Sequence, residues 1–129
     1  MNWVAIALGG GLGSVARYAL GLALERDQAH LPWATLAINV SGSLLLGFLA
    51  RWFAATEATP ALRLGLMMGL CGGYTTFSTF SLETARLLEI GAWGRATTYS
   101  LLSVALCVGA TFAGFAIARG LGAHPVSAA

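Results

Sequence analysis

Residues 69–81, GLCGGYTTFSTFS, place chemically useful residue types inside an apolar segment long enough to cross a bilayer. The glycine pair Gly72-Gly73 and the β-branched pair Thr75-Thr76 both lower helix propensity there. Backbone that leaves the helix at membrane depth persists only where protein buries it or a cavity hydrates it. Its free carbonyls are good ligands for a hard cation. We therefore predict that the helix breaks at these two pairs, although paired glycines in membrane helices also serve close packing.

The residues that follow have the chemistry to bind an anion. Phe77 and Phe80 are three apart and share a helix face, and Thr76 and Thr79 form an adjacent pair. An aromatic ring has a positive edge, so a ring turned edge-on favours an anion. Hydroxyl groups donate hydrogen bonds without carrying a fixed charge. The alternative is that two phenylalanines on one face are ordinary core or lipid contacts.

Two other apolar segments carry polar residues that suit the same ligand. Asn39 lies in the middle of the second segment, where an amide is costly unless it bonds to something. Its NH₂ group can donate to an anion or pair with another helix. Tyr99 and Ser103 are four apart in the last segment, and Cys107 and Thr111 continue the stripe. Hydroxyls in such a stripe can serve an anion or bond only to the carbonyls of their own helix.

The charged residues favour an anion over a cation. Arg17 lies in the second half of the first segment, where it can snorkel to the interface or line a water-filled entrance that concentrates anions. No acidic residue is central in the first, second or fourth segment. Glu83 lies toward the end of the third, where Arg86 one turn on can pair with it.

Four apolar segments must position these residues. Hydrophobic residues make up 57% of the 129-residue chain and charged residues 9%, which is too little charge for the surface of a water-soluble protein. Apolar runs longer than about 18 residues indicate membrane spans. We predict an all-α integral membrane protein with a four-helix domain (1–119), a broken third helix and a short tail (120–129). The predicted spans are residues 3–24, 33–55, 62–82 (with an interfacial extension near Leu88) and 96–118.

The arginines carry little information about orientation. With four spans both termini lie on one side of the membrane, and three arginines fall on each side, with Arg17 inside the first span and no lysine in the chain. The two groups are Arg51, Arg63 and Arg119 against Arg26, Arg86 and Arg95. We predict that the chain inserts both ways up and pairs antiparallel with a second copy. The alternative is that another feature, such as the first span, sets the orientation.

Small residues are spaced for close helix contacts in both of the first two spans. The runs GGGLGS and SGSLLLG place glycine and serine about four residues apart, and such residues let backbones approach in lipid. We interpret them as packing residues that also support a homo-oligomer. The scattered arginines form no basic cluster, so nucleic acid is not an expected partner.

Three motifs together resemble the Fluc (CrcB-type) fluoride channels of bacteria. They are GGLGSVARY in the first span, PWATLAINVSGSLLLG in the second and GGYTTFSTFSLE in the third. The similarity covers essentially the whole chain up to Arg119. It implies passive fluoride conduction that exports the ion from the cytoplasm, in the bacterial inner membrane. It also implies a dual-topology antiparallel homodimer with two pores and a structural Na⁺ at the dimer interface.

The resemblance further implies a role for particular residues. Phe77 and Phe80 match the phenylalanines that line the fluoride path, and Asn39 matches the pore asparagine. The carbonyls of Gly72 and Thr75 match the positions that hold sodium. The other matches are Tyr99 and Ser103 (polar stripe), Arg17 (vestibule), Thr35 (near the pore) and Glu83 (acid after the motif). With Thr76 and Thr79 added from the hydroxyl pattern, the predicted anion path consists of Asn39, Phe77, Phe80, Tyr99, Ser103, Thr76, Thr79 and Arg17. Cys107 departs from the pattern, since serine is expected there and a thiol is the weaker donor.

Two other classes of membrane protein remain as alternatives. A small multidrug exporter needs a membrane-embedded carboxylate to exchange protons for a cationic drug, and the first span offers Arg17 instead. A non-transporting assembly subunit would explain the small packing residues but not the clustered hydroxyls and Asn39. An enzyme is not expected, because no histidine, acid cluster or cysteine pair forms a catalytic set.

Overall fold

The computed structural model describes residues 1–24 and 31–124, and every regular element in these ranges is helical. In chain order the elements are α1 (Asn2–Leu24), α2 (Trp33–Ala55), α3 (Pro60–Leu64), a π-helical segment (Gly65–Cys71), α4 (Gly72–Tyr74), α5 (Phe77–Glu89) and α6 (Trp93–Gly120). This confirms the all-α prediction. Arg26 and the last five residues of the tail lie outside the described residues.

Helices α1, α2 and α6 are long and apolar enough to cross a membrane. They contain 23, 23 and 28 residues. At about 1.5 Å per residue they are roughly 35–42 Å long, which exceeds a hydrocarbon core of about 30 Å. The first, second and fourth predicted spans are therefore confirmed. The last helix is longer than predicted, since it begins at Trp93 and ends at Gly120.

The third segment is a helix interrupted at two residues. It begins at Pro60, where the Thr59 side chain accepts a hydrogen bond from the Leu62 N–H (3.3 Å). Its backbone becomes extended at Thr75 (φ −78°, ψ 156°) and Thr76 (φ −148°, ψ 109°). Helix α5 then continues unbroken to Glu89, so the predicted interfacial extension is part of one helix. The predicted break is confirmed at the threonine pair.

The role that we assigned to the glycine pair in this break is wrong. Gly72 keeps a right-handed helical conformation (φ −66°, ψ −36°), and Gly73 lies in the same helical turn. A Cβ atom at Gly73 would collide with the main chain of Gly10 in α1. Glycine is therefore present at position 73 because two helix backbones touch there, and the break comes one residue after this turn ends.

The small residues of α1 pack against the chain's own third segment. A Cβ at Gly9 would collide with the carbonyl of Gly65, and a Cβ at Gly13 with the carbonyl of Leu70. Helix α1 thus lies directly against the π-helical segment. These glycines serve contacts within one chain, so they do not by themselves support a homo-oligomer as we had interpreted them.

Helices α2 and α6 form the second closely packed pair. A Cβ at Gly47 would collide with the carbonyl of Thr111, and a Cβ at Gly114 would collide with the carbonyl of Leu44. Each helix therefore offers a glycine to the backbone of the other. Because α2 and α6 pack this closely, Asn39 on α2 and the polar stripe on α6 lie on neighbouring helices.

Two buried clusters brace this arrangement. One joins α2, α5 and α6 through Leu36, Leu87, Ala96 and Tyr99. The other joins the second half of α2 to the π-helical segment through Leu49, Phe53 and Cys71. Together they tie α2 to both halves of the interrupted segment, and the break lies beside α2 between them.

Candidate functional site

Asn39 holds the interrupted helix by pairing with its main chain. The Thr76 N–H donates to Asn39 Oδ1 (2.8 Å), and Asn39 Nδ2 donates to the Thr76 carbonyl (3.1 Å). One amide side chain thus satisfies both main-chain groups of a residue that the helix has released. An amide suits this task because it combines an acceptor and a donor in one plane. The second N–H of the Asn39 amide is not used in this pairing.

The pairing also frees the carbonyls that we predicted to bind sodium. In a continuous helix the Thr76 N–H would donate to Gly72 O, and the Thr79 N–H would donate to Thr75 O. Here the Thr76 N–H donates to Asn39, and the Thr79 N–H donates to Thr76 Oγ1 (3.1 Å). Gly72 and Thr75 therefore present carbonyl oxygens without their helical donors. No group of three or more His, Cys, Asp or Glu occurs in the described ranges, so neutral oxygens are the ligands on offer.

Thr76 and Thr79 form the N-terminal cap of α5. The Thr76 hydroxyl accepts from the Thr79 N–H and lies 2.9 Å from the Thr79 hydroxyl. This helix start places main-chain N–H groups and the positive end of a 13-residue helix at the break. The cap explains the two hydroxyls in structural terms, and the helix end makes the potential at the break favourable to an anion.

A cavity of about 260 Å³ opens beside the break and brings most of the predicted residues together. Its predicted lining residues are Asn39, Thr75, Thr76, Phe77, Phe80 and Ser103. Sequence reasoning did not assign Ser43, Leu46 and Val104 to it, and Cys107 was left without a role. Ser43 lies one turn from Asn39 on α2, and Val104 adjoins Ser103 on α6. Their positions next to predicted site residues on the same helix could have indicated that they line the cavity. No carboxylate is among the described lining residues.

The two phenylalanines meet at this cavity. Their ring centroids are 5.4 Å apart with an interplanar angle of 45°. Phe80 also contacts the Tyr99 ring at 5.2 Å. Phe77 is 78% exposed, so it is not a core residue of the single chain. The interpretation of both rings as ordinary core is therefore wrong for Phe77, and lipid or a second protein surface remains as its neighbour.

The polar stripe of α6 divides into residues with different surroundings. Ser103 is 7% exposed, and its hydroxyl has no hydrogen-bond partner in the described part of the chain. The Thr111 hydroxyl instead donates to the Cys107 carbonyl of its own helix (3.0 Å). Within the stripe, the Thr111 hydroxyl bonds to its own helix, whereas the Ser103 hydroxyl is buried and unpaired at the cavity.

Tyr99 lies behind Phe80 and bonds to Glu83. It is fully buried, and its hydroxyl donates to Glu83 Oε2 (2.6 Å), while the Thr35 hydroxyl donates to Glu83 Oε1 (2.8 Å). Both carboxylate oxygens are thereby engaged. The predicted Glu83–Arg86 pair does not form between these two described residues, because the carboxylate turns toward α2 and α6.

A second cavity, of about 400 Å³, lies one helical turn further along α5. Glu83, Arg86 and Arg95 contribute its charged groups, and Trp33 and Pro32 contribute to its walls. From the sequence, Arg95 is predicted only to lie on one side of the membrane, and Arg86 is also predicted to pair with Glu83; neither is predicted to line a cavity. Arg17, which we predicted at an entrance, lines neither of these two cavities.

The fold and the cavity beside the break, called the inner cavity below, define a multi-pass membrane protein with a few hydrogen-bond donors in a mainly apolar wall. The donors there are the second Asn39 N–H, the Ser103 hydroxyl and the helix start at the break, and the Phe77 and Phe80 rings contribute to the wall.

Comparison with known proteins identifies the family. Residues 4–115 match the family described as CrcB-like protein, Camphor Resistance (CrcB), and the chain belongs to this family. A relative from Nitrobacter winogradskyi, named fluoride-specific ion channel FluC, is 50% identical over 92% of this chain and 98% of its own length. Relatives from Nitrobacter hamburgensis, at 49% identity, and Novosphingobium aromaticivorans, at 47%, carry the same kind of name. The alignments cover 92% and 90% of this chain, and 98% and 94% of the two relatives.

Proposed function

We propose that this protein is a fluoride channel that lets fluoride leave the cytoplasm and so confers fluoride resistance. The observation that carries the proposal is the inner cavity, where an amide, a buried unpaired hydroxyl and two phenylalanine rings meet without a carboxylate. Its relatives at 47–50% identity are named fluoride-specific channels. Transport, rather than enzymatic catalysis, is therefore the activity of the chain.

The donors of the cavity suit a small anion that is strongly hydrated. Such an ion enters a narrow path only if several groups replace its water. Asn39 keeps one free N–H after pairing with Thr76, and the Ser103 hydroxyl has no other partner. The positive edges of Phe77 and Phe80 add favourable contacts without a fixed charge that would trap the ion. Weak contacts of several kinds allow both binding and release.

Passive conduction is sufficient for resistance. Hydrogen fluoride is neutral and crosses lipid, then ionises inside the cell. A channel lets the anion leave down the membrane potential, which drives negative charge outward. The chain therefore needs no proton-exchanging carboxylate. Glu83, the acid beside the path, accepts hydrogen bonds from Thr35 and Tyr99 on its two oxygens, whereas the membrane-embedded carboxylate of a drug exporter must be free to exchange protons and a cationic drug.

We propose that two copies pair antiparallel in the bacterial inner membrane, each contributing to two pores. Three features support this. Phe77 is largely exposed in the single chain although it lines the cavity. Gly72 is exposed in the single chain, and a Cβ at Gly72 would meet nothing within 4 Å, so this residue leaves room for a second protein surface. The arginines are balanced three against three.

Sodium fits the same interface. Gly72 and Thr75 would hold it through their freed carbonyls, which match the hard, neutral oxygens that alkali cations bind. The ion would supply positive charge that offsets the C-terminal end of the helical turn before the break. Two copies facing each other would double the number of oxygens.

Fluoride efflux from liposomes that contain the purified protein tests the proposed function. We expect rapid efflux of fluoride and none of chloride under the same potential. Equal rates for both halides would contradict a fluoride-specific channel, and an absence of fluoride efflux would contradict the function itself. For the orientation, two added lysines beside Arg26 should drive most copies to one topology and abolish efflux when that variant is expressed alone. Reporter fusions showing that the unaltered chain already inserts one way would refute dual topology.

A further inference from the structure

Cys107 occupies the wall of the inner cavity, unlike the other cysteine of the chain. It is partly exposed and lines the cavity together with Asn39 and Phe77. Cys71 is 1% exposed and packs with Leu49 and Phe53 away from this cavity. Both cysteines are free thiols. The chain thus contains one thiol at the cavity and one buried thiol that serves as an internal comparison.

A second observation indicates that the wall beside Cys107 is built to meet a ligand. Ser103 precedes Cys107 by one turn on α6 and lines the same cavity. It is 7% exposed, yet its hydroxyl has no partner in the described residues. A buried hydroxyl without a partner has lost its hydrogen bonds to water and has gained none in return. Something small and polar that enters the cavity would satisfy it, and would then lie beside the thiol.

We infer that Cys107 is a modification site at which small, neutral, thiol-specific electrophiles reversibly block the anion path. This rests on the proposed function for its effect on transport, but the reaction itself depends only on access to the cavity. A thiol reacts through its thiolate, and only where a reagent reaches it. A substituent on Cys107 would project into the space between the α6 stripe and the Phe77 ring, where the ion must pass.

The reaction with methyl methanethiosulfonate balances without a further oxidant. The Cys107 thiol first releases its proton to water. Its sulfur then attacks the thiomethyl sulfur of the reagent, the S–S bond of the reagent breaks, and methanesulfinate leaves with the bonding electron pair. The product is a Cys107–S–S–CH₃ disulfide. Dithiothreitol reverses it, since its two thiols reduce the mixed disulfide to the Cys107 thiol and methanethiol and are themselves oxidised to a cyclic disulfide.

The test compares the native chain with Cys107→Ser and Cys71→Ser, all in liposomes and each normalised to its own untreated efflux. Methyl methanethiosulfonate should abolish fluoride efflux of the native chain and of Cys71→Ser, and dithiothreitol should restore it. The Cys107→Ser variant should keep its rate. Mass spectrometry of digested protein should find the thiomethyl group on Cys107 and not on Cys71. Fluoride in the reaction buffer should slow this labelling relative to chloride at equal concentration.

Three results would overturn the inference. Cys107 would be no accessible site if it stayed unlabelled under conditions that label a surface cysteine. It would lie off the anion path if it were fully labelled while efflux continued. Equal inhibition of Cys107→Ser would assign the block to another group. If the untreated protein conducted no fluoride at all, the proposed function would fail. Mass spectrometry would still show whether Cys107 is labelled and whether fluoride slows the labelling.

Discussion

The pairing of Asn39 with Thr76 makes a prediction that separates a structural amide from an anion ligand. Asn39→Leu keeps a side chain of similar size but removes both hydrogen bonds to the Thr76 main chain. Each unpaired buried backbone group costs about 1–3 kcal/mol, so the break should be destabilised by roughly 2–6 kcal/mol. Loss of fluoride efflux alone would fit either role. The quantity to measure is therefore the stability of the hydrogen-bonded pairing between Asn39 and the Thr76 main chain.

Hydrogen exchange of the Thr76 amide reports that stability directly. Losing its acceptor, Asn39 Oδ1, should raise the exchange rate of this amide by roughly 5- to 150-fold. Asn39→Asp keeps an acceptor for the Thr76 N–H, although an ionised carboxylate replaces the amide donor with a negative charge. The Thr76 amide should therefore exchange more slowly in Asn39→Asp than in Asn39→Leu. Ser43→Ala is the matched control, since it alters the same cavity wall without touching Thr76. An unchanged Thr76 exchange rate in Asn39→Leu would refute the pairing.

Three further predictions concern the rings, the cation and the buried tyrosine. Phe77→Ile and Phe80→Ile keep the bulk of the side chain at a cost of under about 1.5 kcal/mol in stability but remove the aromatic ring. The variants should therefore stay folded, as size-exclusion elution would show, while fluoride efflux collapses. Near-native efflux would mean that the rings serve only packing. Thr75→Val should retain sodium, measured by metal analysis of the purified protein, because it keeps the Thr75 carbonyl and removes only a hydroxyl that bonds to the Cys71 carbonyl. Gly72→Val should lose sodium, because a β-branched residue disfavours the helical backbone that positions the Gly72 carbonyl. Equal loss in both variants would make the Thr75 hydroxyl the ligand. Tyr99→Phe removes a hydrogen bond to a carboxylate and should lower the free energy of unfolding by about 1.5–3 kcal/mol. The melting temperature should fall accordingly, and an unchanged melting temperature would contradict the bond.

Composition determined the class of protein, and local chemistry indicated the segment in which the third helix breaks. The apolar runs could only be satisfied as membrane helices, since backbone groups in lipid must bond within their own segment. Thr75 and Thr76 lower helix propensity wherever they stand, and the helix does break at these residues. The shared face of Phe77 and Phe80 likewise follows from three-residue spacing alone, and their rings do meet.

Tertiary structure decided which partners those residues find. Spacing along one helix says which side chains share a face, but not how that face turns toward a neighbouring helix. The rotation of α2 brings Asn39 to the Thr76 main chain, and close contact with Gly10 explains why Gly73 is a glycine although its helix does not break there. The same packing turns Glu83 away from its sequence neighbour toward Thr35 on α2, because the buried carboxylate finds its donors on other helices.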